Sequence, residues 1–397
     1  MHAHKPLTGI RVVELATAAT GPVAATLMAE QGAQAVKVEP PMIGDTVRHL
    51  GTSKEGVSSF FASCNRGKQS LAVDLKQPEG VEIVRRLAEQ ADVLITNYRN
   101  GVLDRLGLGS DTLREANPRL VYVAINGFGI DGPLADAPAY DHILQGFSGI
   151  SDMQGAEQSL DLVKTVLVDS ITAYMACQAA TAALFQRHTS GQGQHIDLSM
   201  LDSSLYFLWP GGMMNHTFVD EDVPLRPTLK ATYRTFPTSD GFVVLAALTD
   251  GHWQGLLRGV QREDLLEDER YNNMFGRAAH LADLYELLDS TFAKMTNEEV
   301  ELLLREADVP GSACKTVEEM MQHPQVEAVG AVQTQTHPLL GELRSAAHPA
   351  RFGSRRMPPL PPVGQIGEAT REVLQDLGYP PEAVDDLINR GVAAAPG

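Results

Sequence analysis

Asp169 is the residue best placed to do chemistry, because it stands at the start of a long predicted helix. The helix is expected to run from near Asp169 to Ser190-Gly191, with alanines at helical spacing that let a neighbouring backbone approach closely. A carboxylate at a helix start faces unpaired backbone N–H groups and the positive end of the helix dipole, which should keep it ionised. An ionised carboxylate can serve as a covalent nucleophile. It can equally be a helix cap with no chemical role.

Several basic side chains could bind an anionic ligand, since they lie in or just after the turns that end predicted strands. They are Arg66, Lys68, Lys76, Arg99 and Arg105. Ligands of open α/β sheets gather at the carboxyl ends of the strands, and phosphates suit nearby helix N-termini. The chain carries a net charge of −18, so a phosphate-bearing ligand would need several of these cations together. Any one of them, taken singly, also fits a solvated surface side chain.

The elements that must position these residues alternate between strands and helices in the first third of the chain. Strands are predicted at Arg11–Leu15, Ala35–Glu39, Leu71–Leu75, Asp92–Thr96 and Leu120–Asn126, and helices at Val23–Gln31 and Gly80–Gln90. Such alternation is typical of parallel βαβ units covered by helices, so the sequence predicts an α/β fold with a Rossmann-like large domain. The turn after the first strand, TAATGP, lacks the GxGxxG pattern, and no dinucleotide cofactor is expected.

A smaller second domain is predicted from a change in texture around residues 226–240. The segment there is polar and rich in turns, and from it to about Gly330 the chain is helical and acidic. We therefore expect residues 1–225 to form the N-terminal part of the large domain and residues 226–332 the small domain. Residues 333–397 are expected to be a linker that returns to the large domain, stiffened by prolines at Met357–Val363. A last helix is predicted at Glu368–Leu377.

Composition narrows the classes of function. The 50 acidic residues against 32 basic ones argue against binding nucleic acid or a membrane surface, because both need cationic faces. Cys64, Cys177 and Cys314 lie far apart without a CxxC pattern, and the histidines show no metal-ligand spacing, so no disulfide framework and no metal site are expected. No apolar run approaches the ~20 residues of a membrane span. These features favour a protein of the reducing cytoplasm.

A series of motifs in a fixed order points to a family. They are VKVEPP with GD close behind, NRGKQSLAVDLK, ADVLITNYRNG, NPRLVYVAINGFGIDGP, AYDHILQGFSG and RHTSGQGQHIDLSMLD. This order resembles the class III CoA-transferases, the family named after carnitine CoA-transferase and bile-acid-inducible protein F. The resemblance implies that Asp169, which starts the helix before the stretch Arg187–Gln194, is the catalytic nucleophile. It also implies a ring-shaped chain that interlocks with a second copy as a homodimer.

The same resemblance implies that coenzyme A thioesters are substrates, that no cofactor is tightly bound, and that a CoA channel follows the strand ends. The residues that match its lining are Ala18, Ala19, Val73, Asp74, Leu75, Lys76, Asn97, Tyr98, Arg99, Arg105, Ala139, Tyr140 and Asp141. In the small domain, Tyr233, His252 and Trp253 are candidates for selecting the acid, although core packing is the simpler explanation for the two aromatic residues.

Three departures from the family pattern weaken the case for formyl or oxalate specificity. Pro40 stands where some members place an arginine. Ala18-Ala19 stands where the formyl-CoA transferases have a glutamine, and their glycine-rich loop has no counterpart near Arg226–Asp240. The chemistry expected of Asp169 does not depend on any of these positions.

The activity that the resemblance implies moves CoA from an acyl-CoA donor to a free carboxylic acid, by way of a mixed anhydride and a thioester on Asp169. Two alternatives stay open. An α-methylacyl-CoA racemase would need two bases, and Tyr140 occupies the position of the racemase histidine, although His142 lies two residues further on. A non-catalytic acyl-CoA-binding protein would use Asp169 only as a cap. The motifs do not identify the acid or the acyl group.

Overall fold

Two compact units make up the protein, as seen in a computed structural model that describes residues 5–155, 159–220 and 222–396. Unit 1 combines residues 1–217 with residues 328–397, and unit 2 consists of residues 218–327. The smaller unit is therefore inserted into the chain of the larger one. The sequence placed these two junctions at 225/226 and 332/333.

The strands form one large sheet and three small antiparallel sheets. In chain order they are β1 (Arg11–Leu15), β2 (Gln34–Glu39), β3 (Ser53–Lys54), β4 (Val57–Ser58), β5 (Lys68–Val73), β6 (Val93–Thr96), β7 (Val121–Asn126), β8 (His195–Ser199), β9 (Phe236–Pro237), β10 (Phe242–Leu245), β11 (Gly311–Ala313), β12 (Val332–His337), β13 (Gly341–Ala346) and β14 (Ala393–Ala394). The large sheet has the order β14-β5-β2-β1-β6-β7-β8. Its strands are parallel except β14, which pairs antiparallel with β5.

Helices connect and cover these strands. In chain order they are α1 (Thr20–Glu30), α2 (Ser59–Cys64), α3 (Pro78–Glu89), α4 (Val102–Arg105), α5 (Ser110–Ala116), α6 (Asp141–Phe147), α7 (Ile150–Gln154), α8 (Leu167–Ser190), α9 (Met200–Gly212), α10 (Leu229–Thr232), α11 (Asp250–Gly259), α12 (Met274–Ala279), α13 (Leu281–Phe292), α14 (Asn297–Glu306), α15 (Val317–Met321), α16 (Pro324–Ala328), α17 (Thr370–Asp376) and α18 (Pro381–Asn389). Short 3-10 turns lie at Thr46–His49, Met214–His216 and Glu263–Leu266. In the described part of the chain, no helix is both long enough and apolar enough to cross a membrane.

The central strands of unit 1 are buried on both faces, which explains their continuous apolar runs. Val13 and Leu94 pack against α3, α17 and α18, whereas Val12 and Ile95 pack against α1 and α8. Neighbouring residues thus serve opposite layers. This parallel-rich sheet between helices confirms the predicted α/β fold class, while the ring shape and the interlocked dimer stay predictions.

Helix α1 packs directly on α8 through small residues. The alanines that lie at helical spacing along α8 are all buried: Ala173, Ala176, Ala180 and Ala183. They share one core cluster with Ala24 and Ala25 of α1. Because each side chain is a single methyl group, the two helix backbones approach closely. This contact brings the first residue of α1 to the first turn of α8.

Unit 2 has a core of its own. Phe236 and Val243, from β9 and β10, pack with residues of α11, α13 and α14, including Trp253, Leu288 and Leu304. The small sheet of this unit has the order β11-β10-β9. Its burial of aromatic and branched side chains is what an independent core requires.

Candidate active site

Asp169 is the third residue of α8, and the start of this helix lacks a side-chain cap of its own. Val166, which precedes the helix, makes no capping hydrogen bond. Instead, the N–H of Asp169 donates to Oδ2 of Asp141, on α6, at 3.0 Å. A carboxylate from another helix therefore takes the capping role, and the carboxylate of Asp169 is directed elsewhere.

The Asp169 carboxylate receives a hydrogen bond from α1. The hydroxyl of Thr20, the buried first residue of that helix, donates to Oδ1 of Asp169. Burial raises the pKa of Asp169 above its ordinary value, the Thr20 hydrogen bond lowers it, and the charge of Asp141 raises it, with a net upward shift. The sequence predicted that the helix start would favour the ionised form, whereas burial in the structure shifts the pKa of Asp169 in the opposite direction.

Asp141 also anchors the segment that leads into α8. Its Oδ1 accepts from Nε2 of Gln145 at 2.6 Å, and Gln145 bonds the backbone of Val163 and Thr165. Asp141 is 7% exposed, and both of its carboxylate oxygens are engaged within the protein. The family resemblance assigns Asp141 to the CoA channel. Because neither carboxylate oxygen is left unbonded, this assignment describes where Asp141 lies and not a hydrogen bond to CoA.

The turn between β1 and α1, residues Ala16–Ala19, is held by a side chain from the turn after β6, the strand beside β1 in the sheet. Oδ1 of Asn97 accepts the N–H of Thr17 at 2.9 Å, and Nδ2 donates to the C=O of Thr17 at 2.8 Å. Ala18 has a φ of +63°, in the left-handed region that only glycine enters without strain. Two predicted CoA contacts, Ala18 and Ala19, thus lie in the turn just before α1, the helix whose Thr20 donates to Asp169. The side-chain amide of Asn97, another predicted CoA contact, bonds the backbone of Thr17.

Other predicted CoA contacts follow the carboxyl ends of β5 and β6, at the edge of the sheet that also carries the β1–α1 turn. Val73 ends β5, and the carboxylate of Asp74 accepts the N–H of Lys76 at 3.0 Å and shapes the turn. Tyr98 and Arg99 follow β6 and line a cavity of about 240 Å³. The structure therefore gathers these residues at one edge.

The remaining predicted contacts differ in exposure. Leu75 is half-buried against the core, and Ala139 is half-buried before α6. Ala19 is buried, with 1% of its surface exposed. Tyr140 is 67% exposed and is open to a ligand.

Three of the five predicted cations are available to an anion: Lys76, Arg99 and Arg105. Each is exposed, and among the described residues none of them forms a salt bridge. The other two are committed. Arg66 pairs with Glu30 at 2.8 Å, and the buried ammonium of Lys68 lies 2.6 Å from Glu14. The prediction that Lys68 binds an anionic ligand is wrong, because its side chain is buried inside the protein.

Sequence reasoning missed Thr20, Gln145 and a set of buried charges beneath the β1–α1 turn. A signal for the charges existed, since Lys37 and Glu39 interrupt an apolar strand, and a charge in a strand buried on both faces must find a partner. Thr20 was visible only as a polar residue in the turn TAATGP. Its contact with Asp169 is a tertiary one that no spacing reveals.

No hydrogen bond joins a histidine to Asp169 in the described part of the chain. Its hydrogen bonds go to Thr20 and Asp141, whereas the exposed His142 stacks on Tyr140 with ring centroids 6.4 Å apart. Asp169 is therefore not hydrogen-bonded to His142, the candidate second base of a racemase. Within residues 5–155, 159–220 and 222–396, no cluster of His, Cys, Asp and Glu is arranged to hold a metal ion.

The candidates in unit 2 separate into core and surface. Trp253 is 6% exposed and belongs to the core, as the simpler explanation had it. Tyr233 is 79% exposed and lines a groove of about 950 Å³ together with Arg234 and Leu245. Nδ1 of His252 accepts the N–H of Leu248 at 3.2 Å.

Known proteins resemble this one in sequence and in fold. Residues 7–370 match the model of the CoA-transferase family III. The chain is 36% identical to the succinate–glutarate CoA-transferase of Agrobacterium fabrum over 338 residues, which cover 82% of this chain and 84% of the relative. It is 28% identical to the succinyl-CoA:glutarate CoA-transferase of Homo sapiens over 399 residues, with coverage of 99% and 91%. The crystal structure of a CAIB/BAIF family protein from Brucella suis matches with a TM-score of 0.81 at 30% identity, covering 94% of this chain and 100% of the other.

Proposed function

The chain belongs to CoA-transferase family III and is an enzyme of that class, and on this premise we propose that Asp169 is its covalent nucleophile. The proposal is supported by the different roles of two carboxylates, Asp141 and Asp169, at the start of α8. Asp141 satisfies the N–H of Asp169, so the Asp169 carboxylate is not consumed as a cap. It is held instead by one hydroxyl at the carboxyl edge of the sheet.

The reaction proceeds in two half-reactions, one with the acyl-CoA donor and one with the acceptor acid. The carboxylate attacks the thioester carbonyl of the donor, the C–S bond breaks, and a mixed anhydride and a CoA thiolate result. The thiolate then attacks the Asp169 carbonyl carbon and expels the donor acid as a carboxylate, which leaves an aspartyl-CoA thioester. The acceptor carboxylate repeats these steps in reverse, so a new acyl-CoA forms and Asp169 is regenerated. No ATP is required, because the thioester energy is conserved.

The proposed substrates are a succinyl-CoA-type donor and a small dicarboxylic acceptor. Similarity supports this assignment, since the two relatives described above are named for transfer between succinate and glutarate. The phosphates of CoA are assigned to three exposed cations: Lys76, Arg99 and Arg105. An anionic protein needs local cations of this kind to attract an anionic substrate.

The deciding experiment compares Asp169→Asn with a matched control, Asp202→Asn. Asp202 is also the third residue of its helix, α9, but its carboxylate and N–H bond Ser199, the residue that caps that same helix. Both variants remove one charge from a first helical turn. Transfer of CoA from succinyl-CoA to labelled glutarate is measured by mass spectrometry, and hydroxylamine traps any acyl or thioester adduct on the protein.

We expect the wild type and Asp202→Asn to exchange and to yield a hydroxamate at Asp169. Asp169→Asn should lose exchange by roughly a thousandfold or more. Full exchange by that variant, or an adduct on another residue, would contradict the proposal. Solvent deuterium entering the α-carbon of a 2-methylacyl-CoA without acid exchange would instead support a racemase, and binding without any turnover by the wild type would support a carrier.

The proposal includes a homodimer that acts in the reducing cytoplasm. Large apolar side chains are exposed on α8 and α9, among them Tyr174, Phe185, Tyr206 and Trp209, and such surfaces mark interfaces. The three cysteines are unpaired, which agrees with a reducing compartment. Light scattering across a concentration series tests the dimer, and a mass of one chain at every concentration would contradict it.

A further inference from the structure

A balanced set of charges is buried under the turn between β1 and α1. Its members are three acids and three bases: Glu14, Glu39, Asp45, Lys37, Arg48 and Lys68. None is more than 7% exposed. Buried ion pairs add little net stability, because the loss of hydration offsets much of their attraction. Stability is therefore a weak explanation for so many of them, and their geometry indicates another.

Lys37 joins the sheet to the turn. Its Nζ lies 2.7 Å from Oε1 of Glu14, which is its direct neighbour on β1. The same ammonium lies 2.9 Å from Oδ2 of Asp45 and donates to the C=O of Ala16 at 3.0 Å. The second carboxylate oxygen of Glu14 binds Lys68. Lys37 is thus held by Glu14 of the sheet and contacts both the carbonyl of Ala16 in the turn and the carboxylate of Asp45.

Asp45 completes the support of the turn. Its Oδ1 accepts the N–H of Ala18 at 3.2 Å, and Asp45 is 1% exposed. Together with the contacts of Asn97 on Thr17, four consecutive backbone groups are each bonded by a side chain from outside the turn. They run from the C=O of residue 16 to the N–H of residue 18. These four bonds restrict the conformations that the turn can adopt.

The conformation that results is the left-handed one of Ala18. Two residues later, the hydroxyl of Thr20 reaches the carboxylate of Asp169. We propose that Asp45 is a positioning residue for the reaction at Asp169: anchored by Lys37, it holds the turn so that the Thr20 hydroxyl meets the nucleophile. This inference rests on the proposed role of Asp169.

The test is a double-mutant cycle between Asp45→Asn and Thr20→Val in the full-length protein. Asp45→Asn keeps the shape of the side chain and removes the pairing with Lys37. We expect it to move the acid limb of the pH–rate profile toward higher pH, so that kcat for exchange falls about tenfold at a pH on that limb, and to leave KM for succinyl-CoA within about twofold. In the Thr20→Val background the same substitution should cause no further loss, because the contact it protects is already gone.

Asp92→Asn is the matched control. Like Asp45, Asp92 accepts a backbone N–H and pairs with a buried cation, but it lies at the opposite, amino edge of the sheet. It accepts the N–H of Arg11 at 2.8 Å and pairs with Arg187 at 2.7 Å. This variant should leave the acid limb unchanged and lower stability only. The inference would be overturned if the loss of rate in Asp45→Asn added to the loss in Thr20→Val and the acid limb, measured from rates per folded molecule, did not move.

Ala18→Gly keeps every charge and serves if Asp45→Asn does not fold. Glycine accepts the left-handed conformation without strain but also visits others, so exchange should fall about threefold and only when Thr20 is present. A fall that persists in Thr20→Val, or no fall at all, would contradict the positioning role. A wild-type protein that neither exchanges acids nor labels Asp169 would refute the proposed function, whereas an active wild type with additive variants would refute only this inference.

Discussion

Replacement of Thr20 by valine isolates the one hydrogen bond that the described residues donate to the carboxylate of Asp169. The two side chains have nearly the same shape, and Thr20 is 3% exposed, so packing is preserved while the hydroxyl is lost. The Thr20 hydrogen bond lowers the pKa of Asp169, against the upward effects of burial and of Asp141. Its removal must therefore raise that pKa further above the ordinary range.

The size of the effect follows from the strength of a hydrogen bond to a charged group, about 1.5–3 kcal/mol. A free-energy difference of about 1.4 kcal/mol is a factor of ten in an equilibrium, so on the acid side of the profile the ionised fraction of Asp169 should fall by roughly ten- to a hundredfold. Because only the ionised form is nucleophilic, the acid limb of the rate profile should move toward higher pH, while the plateau at high pH changes little.

The assay is single-turnover formation of the trapped adduct, followed across roughly pH 4 to 9. Thr26→Val is the control, since Thr26 lies on the same helix, is equally buried and donates to the C=O of Cys64 at 2.7 Å. That variant should lose about 1 kcal/mol of unfolding free energy and keep the wild-type acid limb. Coincident acid limbs for the wild type and Thr20→Val, or an equal displacement in Thr26→Val, would refute the reasoning.

Two further predictions concern neighbouring charges. Asp141→Asn should move the acid limb toward lower pH, opposite to Thr20→Val, because the charge of Asp141 raises the pKa of Asp169. The amide oxygen of asparagine can still accept the N–H of Asp169. An acid limb that stays in place or moves to higher pH in the same assay would contradict this prediction. Arg105→Ala should raise KM for succinyl-CoA about fivefold at low salt with kcat unchanged, as for an exposed contact worth about 1 kcal/mol. The difference should vanish with succinyl-pantetheine, which lacks the nucleotide phosphates, and its persistence there would assign Arg105 another role.

Much of the large unit follows from the sequence because its strands are buried on both faces. The apolar run Arg11–Leu15 is a strand with the predicted bounds, and the other central strands differ only at their ends. β5 begins three residues before the predicted Leu71, since Lys68 and Ser70 extend the strand despite their polarity. β14 has two residues, too few for any periodicity, and α18 continues past the last helix that the sequence predicted.

The site could be predicted only as far as local pattern reaches. Asp169 stands out by its place before a long helix, which begins two residues earlier, at Leu167. Its partners are separated from it by 149 and 28 positions, so Thr20 and Asp141 are not linked to it by spacing. Lys68 looked like a surface cation because nothing in the sequence shows that Glu14 lies beside it.

The antiparallel strand β14 sets the order in which the large unit can be completed during biosynthesis. Ala393 and Ala394 cover the outer edge of β5, yet they leave the ribosome roughly 300 residues after it, or about 15 to 60 s at usual elongation rates. Throughout that interval β5 presents unpaired peptide groups next to the turn that carries Lys76, and such an edge recruits other chains. The inserted unit 2 is made during the same interval, so the β14 side of β5 stays uncovered by its own chain until Ala393 and Ala394 are made.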